Sequence, residues 1–110
     1  MEVNAEKQQL SKVIQYIRNT ISENQEFYRK LYNLYNGDLA NAKRLTEKIY
    51  SDVVSNYKSN NIEMYKIAGT MNGHVYGMQL NISYVLDNLS VWIEEQQIRL
   101  NRLQEQYNQM

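Results

Sequence analysis

Cysteine and proline are absent from this chain of 110 residues, and glycine occurs only four times. Without cysteine the chain cannot form a disulfide, a thiolate metal site or a cysteine nucleophile. Turns and irregular loops draw heavily on proline and glycine. A chain that has almost none of either is therefore predicted to consist of a few long helices joined by very short connections.

The chain also lacks an excess of charge of either sign, because 12 Lys and Arg residues balance 12 Asp and Glu residues. Nucleic-acid-binding proteins usually carry net positive charge, so the composition disfavours that class but leaves a local basic patch open. A neutral chain has little charge repulsion to oppose self-association. The length fits one domain, and we expect a single helical bundle over residues 1–110.

A secretion signal is not apparent at the start of the sequence. Residues 1–20 lack both an unbroken apolar stretch and a cleavage site of small residues. We therefore expect a cytoplasmic or otherwise soluble protein.

The first segment has apolar residues at alternating steps of three and four, which is typical of the core face of a long helix. Two polar residues, Lys7 and Asn24, occupy positions in this stripe. The pattern predicts a helix over about residues 4–35, a turn at Asn36-Gly37 with glycine in the left-handed conformation, and Asp38 as the next N-cap. The apolar members of the stripe are Val3, Leu10, Ile14, Ile17, Ile21, Tyr28, Leu31 and Tyr35.

The second segment has a shorter apolar face with helical spacing, which predicts a second helix. Its signal weakens over residues 58–61, where Asn61 is a suitable cap for a new start. The face is formed by Leu39, Ala42, Leu45, Ile49, Val53, Val54 and Tyr57.

The third segment carries a regular stripe that alternates steps of four and three up to Leu89. Beyond that residue the pattern slips by one position, which predicts a mild stutter that locally unwinds a supercoil. Trp92 lies beside the slip and is a candidate interface anchor. The stripe before the slip consists of Met64, Ala68, Met71, Val75, Met78, Ile82, Val85 and Leu89.

Residues 67–86 contain no charged side chain, and they hold Gly69, Gly73 and Gly77. The run has the length of a membrane span, but its polar amides are too costly in hydrocarbon. The pair Asn72-Gly73 favours a turn, which gives an up-down bundle of three helices. The alternative is two helices plus one very long helix, because the stripe crosses the glycines without a change of phase.

Both interpretations predict that this run is shielded from water on more than one side. In a chain of this size that points to a homo-oligomer, dimeric or higher, or to another protein as partner. The expected mechanism is burial of the Leu10–Tyr35 face and the Met64–Leu89 face. The predicted interface residues are Met64, Met71, Val75, Met78, Ile82, Val85, Leu89, Trp92, Gly69, Gly73 and Gly77.

Two polar residues in the apolar stripes, Asn24 and Gln96, are predicted to set the register of helix pairing. A single amide at such a position can select register and partner number at a cost in stability.

Motifs for catalysis or metal binding are not found. His74 is the only histidine, and Met71 and Met78 occupy the positions near one helical turn away, where an acidic partner would be needed. No glycine precedes a Lys-Ser or Lys-Thr pair, so a phosphate loop is excluded. We therefore expect no catalytic residue, no metal and no cofactor.

Aromatic and basic residues alternate near the end of the first helix, and further basic residues follow in the second. Aromatic rings can stack on bases while basic side chains hold phosphates. The ordinary alternative is that the tyrosines continue the core and the cations are solvated. The candidate patch consists of Tyr28, Arg29, Lys30, Tyr32, Lys43 and Arg44.

The sequence therefore predicts an all-α protein, a long-helix up-down bundle of coiled-coil type. The predicted function is a non-enzymatic interaction or assembly protein that acts by helix packing, with itself as the first partner. The alternatives are a small nucleic-acid-binding or regulatory protein and an immunity, inhibitor or viral accessory protein that binds one target.

Overall fold

A computed structural model describes residues 2–57 and 61–110, and this part of the chain is all-α. It is 96% helical and has no strand. It contains the helices α1 (Glu2–Asn36), α2 (Asp38–Asn56) and α3 (Ile62–Gln109). The all-α prediction is confirmed, and the arrangement is the one with two helices plus one very long helix.

The connection between α1 and α2 is a bend and not a reversal of the chain. Gly37 has φ −104° and ψ −97°, so the prediction of a left-handed glycine is wrong. The Gly37 amide donates to the Asn33 carbonyl at 2.9 Å, and the Gly37 carbonyl accepts from the Asn41 amide at 3.0 Å. Helical hydrogen bonds on both sides of Gly37 leave no room for a hairpin, and Asp38 is the first residue of α2 instead of its cap.

The start of α3 follows the prediction. The Asn61 side-chain oxygen accepts a hydrogen bond from the Met64 amide at 3.0 Å, which satisfies one of the free donors at the helix start. Residues 58–60 lie outside the described part of the chain, and so does the predicted weakening of the helix there.

The prediction of a turn at Asn72-Gly73 is wrong, because α3 runs without interruption through all three glycines of the charge-free run. None of the residues in the described ranges has a positive φ, so no left-handed turn residue is available to end a helix there. The core positions before and after the glycines lie on the same side of the helix, and this is what one uninterrupted helix produces.

The chain divides into two compact units, and α3 contributes to both. Unit 1 consists of Met1–Arg29 and Asp87–Met110. Its helices run antiparallel, with the Lys7 ammonium 4.8 Å from the centre of the Tyr107 ring and the Arg18 guanidinium donating to Gln104 at 2.8 Å. Its buried apolar residues on α1 are Ile14, Ile17 and Ile21.

Unit 2 consists of Lys30–Leu86 and pairs α2 with the first part of α3, again antiparallel. Thr46 contacts Asn72, and Tyr50, further along α2, contacts Tyr65, earlier on α3. Its buried apolar residues are Leu39, Val53, Ala68 and Leu86. The prediction that residues 1–110 form one domain stays a prediction.

The stripe predicted for α1 is confirmed at each of its described positions. From Leu10 to Tyr35 each apolar member is buried or half-buried, and the polar members Lys7 and Asn24 are half-buried as well. In unit 1 this face packs against α3 of the same chain, so that part of the predicted Leu10–Tyr35 interface is already covered.

Candidate interaction surface

The core face of α3 differs from the predicted stripe. Among its buried and half-buried positions, one series runs from Tyr65 to Tyr107 in steps of three and four without a slip, so the predicted stutter after Leu89 is wrong. The methionine positions belong to the edge of this face, and Tyr65, Asn72 and Gln79 take the central positions next to Met64, Met71 and Met78. The central positions are Tyr65, Ala68, Asn72, Val75, Gln79, Ile82, Leu86, Leu89, Ile93, Gln96, Leu100, Leu103 and Tyr107.

A polar contact replaces apolar packing at the centre of unit 2. Thr46 is 8% exposed, and its hydroxyl lies 3.2 Å from the Asn72 side-chain oxygen and 3.1 Å from the Lys43 carbonyl oxygen. The Thr46 hydroxyl is therefore shared between a carbonyl of its own helix and the Asn72 side-chain oxygen of α3, and the second contact connects the two helices. This pair holds α2 and α3 in one register.

A second polar contact in the same unit joins Tyr50 to Tyr65. Their hydroxyls are 3.5 Å apart and their ring centres 5.9 Å apart. The hydrogen bond with Tyr65 raises the pKa of Tyr50 above its ordinary value of 10.0, with smaller contributions from the Tyr65 charge and from partial burial. Tyr50 therefore keeps its proton to a higher pH than a free tyrosine does.

Apolar side chains of unit 2 lie beside this polar centre, on a surface that we call the flank. Leu45 is 61% exposed and Ile67 is 67% exposed, although both are aliphatic. A shallow groove of about 460 Å³ runs between the two helices at this edge. The flank is formed by Leu45, Ile49, Met64, Ile67 and Met71.

Two residues of the flank contradict the predicted core face of α2. Leu45 and Ile49 were expected inside but are exposed, whereas Thr46 and Tyr50 take the inward positions. The physical reason is that the partners on α3, Asn72 and Tyr65, offer hydrogen bonds to hydroxyls at these levels.

A further apolar surface, which we call the outer face, lies on the side of α3 away from the core positions. It consists of Gly73, Gly77, Leu80 and Tyr84, again at steps of four and three. Leu80 is 54% exposed and Tyr84 is 69% exposed. Because a Cβ added at either glycine meets no atom within 4 Å, residues 2–57 and 61–110 do not pack against this face there.

Gly69 differs from the other two glycines of the run. A Cβ at this position would lie 3.4 Å from the Tyr50 ring, so Gly69 faces α2 inside unit 2. The packing of Gly69 against Tyr50 offsets part of the helix propensity that a glycine loses, about 1 kcal/mol relative to alanine.

The other predicted interface residues divide between core and surface. Val75, Ile82 and Leu89 lie at core positions of α3 and are half-buried, as is Trp92. The remaining ones, Met64, Met71, Met78 and Val85, follow at intervals of seven residues along one edge of the helix and are exposed.

The predicted register residues Asn24 and Gln96 are both half-buried at core positions of unit 1. The Asn24 side-chain amide donates to the Thr20 carbonyl at 2.8 Å, one turn earlier in its own helix. Their role in setting register stays a prediction.

Several cations of the predicted nucleic-acid patch have local partners. Arg29 forms an ion pair with Glu26 at 2.8 Å, and Arg44 donates to Asn41. The Lys43 ammonium lies 3.8 Å from Glu47 and 5.4 Å from the centre of the Tyr76 ring.

The tyrosines of this patch lie on α1, where Tyr28 is half-buried at a core position and Tyr32 is exposed. The bend at Gly37 does not fold α2 back onto α1, so Lys43 and Arg44 are not brought onto Lys30 and Tyr32 in the way that a turn would allow. Nucleic-acid binding through these residues stays a prediction.

His74 lies in the middle of α3 instead of at a turn, beside Gly73 and Gly77 on an exposed side of the helix. Among residues 2–57 and 61–110, no three His, Asp or Glu side chains come together as a metal site would require. Within the same ranges, none of the helices has an apolar stretch sufficient to cross a bilayer.

Comparisons with protein-family models, with curated proteins and with solved structures find no match to this chain.

The exposed residues Ile67, Leu80 and Tyr84 were not among the predicted site residues. Their signal was nevertheless present, because Leu80 and Tyr84 continue the spacing of Gly73 and Gly77. The methionine stripe of α3 contains more apolar residues, so the apolar pattern alone favours that stripe over this second series.

Proposed function

We propose that the protein is a non-enzymatic interaction and assembly protein that works by helix packing, with a second copy of itself as the first partner. One observation carries the proposal. The part of α3 between residues 67 and 86 has no charge on any side, yet the described part of the chain packs mainly against its core side. Because Leu80 and Tyr84 are exposed on an uncharged side of this run, packing of a further helix there would bury apolar surface without burying a charge.

The composition of the two sides of unit 2 supports the same proposal. Thr46 and Asn72 occupy the inside, whereas Leu45 and Ile67 are more than half exposed on the flank. Burying an aliphatic side chain of this size is worth about 1.5–3 kcal/mol relative to full exposure. Ile49, Met64, Ile67 and Met71 line one groove, and apolar side chains grouped in this way are typical of an interaction site.

The proposed partner is another copy because nothing in the charge of the chain opposes it. The net charge is zero, so two copies meet without overall repulsion. Homo-oligomers with two-fold symmetry are also the commonest assemblies, since one surface serves both subunits.

The test is the solution mass from light scattering on a sizing column over a wide range of protein concentrations. We expect an integral multiple of 13.1 kDa that persists on dilution. Leu80→Glu should shift the mass towards the monomer, because a charge enters the exposed apolar part of the uncharged run. Ser55→Glu adds the same charge at an exposed position of α2 and serves as the control. A monomer at every concentration would refute the proposal.

A further inference from the structure

The outer face of α3 is left uncovered at Gly73 and Gly77 by the described part of the chain. Gly73 and Gly77 are each exposed or half-buried within a continuous helix, and a Cβ at either one would enter open space. Two glycines in a helix interior cost about 2 kcal/mol relative to alanine. Packing inside the chain does not account for this cost, in contrast to Gly69, which faces the Tyr50 ring.

Two small residues are followed by two large ones along this face, and this order is self-complementary when a second copy runs in the opposite direction. The two glycines precede Leu80 and Tyr84, and the spacing from Gly73 to Tyr84 is four, three and four. If a second α3 lies antiparallel on this face, Gly77 is opposite Leu80 of the second copy and Gly73 is opposite its Tyr84. Each large side chain then meets a glycine, and the backbones can approach to the short end of the range for helix pairs, about 8 Å.

The charges that end the apolar run favour the same direction. Lys66 precedes the run and Asp87 follows it. In the antiparallel arrangement Lys66 lies within about one helical turn of Asp87 of the second copy, which a lysine side chain can span. In a parallel arrangement the same register would place Lys66 near Lys66 and Asp87 near Asp87, which like-charge repulsion disfavours.

We infer that two copies of this chain associate through the outer face of α3, antiparallel and related by a two-fold axis between Gly77 and Leu80. The occupant of the face is thus the same face of a second copy, with glycines receiving Leu80 and Tyr84. This inference rests on the proposed self-association and adds its surface, its direction and its register.

The first test exchanges the large and small residues of one layer. Gly77→Leu places Leu opposite Leu80 of the second copy, and we expect the dissociation constant to rise at least about tenfold. The double variant Gly77→Leu/Leu80→Gly has the composition of the parent chain and restores a small residue opposite a large one. We expect it to recover most of the affinity. Sedimentation equilibrium measures both constants, and circular dichroism checks that the variants remain helical.

The second test determines whether the two α3 helices run parallel or antiparallel. The chain has no cysteine of its own, so every disulfide that forms joins introduced cysteines. Single-cysteine variants Gly73→Cys and Tyr84→Cys are mixed in equal amounts, allowed to exchange and then oxidised. The antiparallel arrangement predicts a disulfide between the two different variants and little between identical ones. Disulfides within each variant alone would indicate a parallel pair and overturn the inference.

The outcomes separate this inference from the proposed function. A parent chain that is monomeric at all concentrations defeats both. An oligomer that tolerates Gly77→Leu without loss of affinity, or that forms no disulfide between the mixed variants, defeats only the outer-face arrangement. Self-association would then use another surface, of which the flank is the nearest.

Discussion

The hydrogen bond between Thr46 and Asn72 connects α2 to α3 at a level where two apolar side chains would ordinarily meet. We expect Thr46→Val to lower the free energy of unfolding by about 1–2 kcal/mol, because Asn72 loses its partner in a partly buried site. Urea unfolding followed by circular dichroism measures the change.

The double variant Thr46→Val/Asn72→Leu should regain most of that loss, since two apolar groups in contact need no hydrogen bond. Thr20→Val is the matched control, because the Thr20 hydroxyl donates only to the Tyr16 carbonyl of its own helix. A loss in Thr46→Val no larger than that of the control would show that the contact contributes little.

The same contact explains why the sequence predicts some residues well and others poorly. In α1 the core positions are filled by Ile14, Ile17 and Ile21, and a search for apolar spacing finds them. In unit 2 the core positions hold Thr46 and Asn72, which such a search passes over in favour of neighbouring aliphatic residues. The apolar spacing therefore predicts Leu45 inside, although it is exposed. A hydrogen bond between a hydroxyl and an amide depends on which residues meet in the folded structure, and local spacing in the sequence does not show this.

At the level of the helices, the bend between α1 and α2 depends on one residue. A Cβ at Gly37 would lie 2.9 Å from the Asn33 carbonyl oxygen, a backbone atom that cannot move away cheaply. We expect Gly37→Ala to lower the free energy of unfolding by about 1 kcal/mol, although alanine is the better helix former. Thermal or urea unfolding checks this.

Gly69→Ala is the control for that substitution, since its Cβ would make an ordinary contact with the Tyr50 ring. It should keep or raise the stability by up to about 1 kcal/mol. If Gly37→Ala stabilised the protein as much as Gly69→Ala, the bend would not depend on the absence of a side chain.

The sequence predicts that long helices form. It does not predict which of the Asn-Gly pairs ends a helix. The pair Asn36-Gly37 ends α1, whereas the similar pair Asn72-Gly73 lies inside α3. Local preference is the same at both places, so the difference arises from the contacts around them. At the second pair, Asn72 is held inside unit 2 by Thr46, and this contact favours continuation of the helix.

For the molecule as a whole, the sequence indicates association but not its surface. The zero net charge and the uncharged run are visible in the sequence, and both favour self-association. The sequence does not predict which side of this run is left uncovered by the rest of the chain. That depends on which edge of α3 packs against α1 and α2. The predicted Met64–Leu89 interface combined positions of the core, such as Val75 and Ile82, with exposed ones, such as Met71 and Met78.

The two units also differ in how far apart in the sequence their contacting residues lie. In unit 2 the Thr46 and Asn72 side chains are separated by 26 residues, whereas Arg18 and Gln104 in unit 1 are separated by 86. Closing the longer loop first costs about 1 kcal/mol more in chain entropy. Contacts between residues that lie close together in the sequence also form sooner during folding. Unit 2 is therefore expected to be the folding nucleus, with the two ends of the chain joining later.

Pulse-labelling hydrogen exchange during refolding tests this order. Amides of α2 and of the first part of α3 should become protected before those of the first part of α1, and protection of α1 first would contradict it. A nascent chain would then expose the outer face of α3 as soon as unit 2 forms, while unit 1 is still unfolded. Two copies could consequently begin to assemble before either has finished folding.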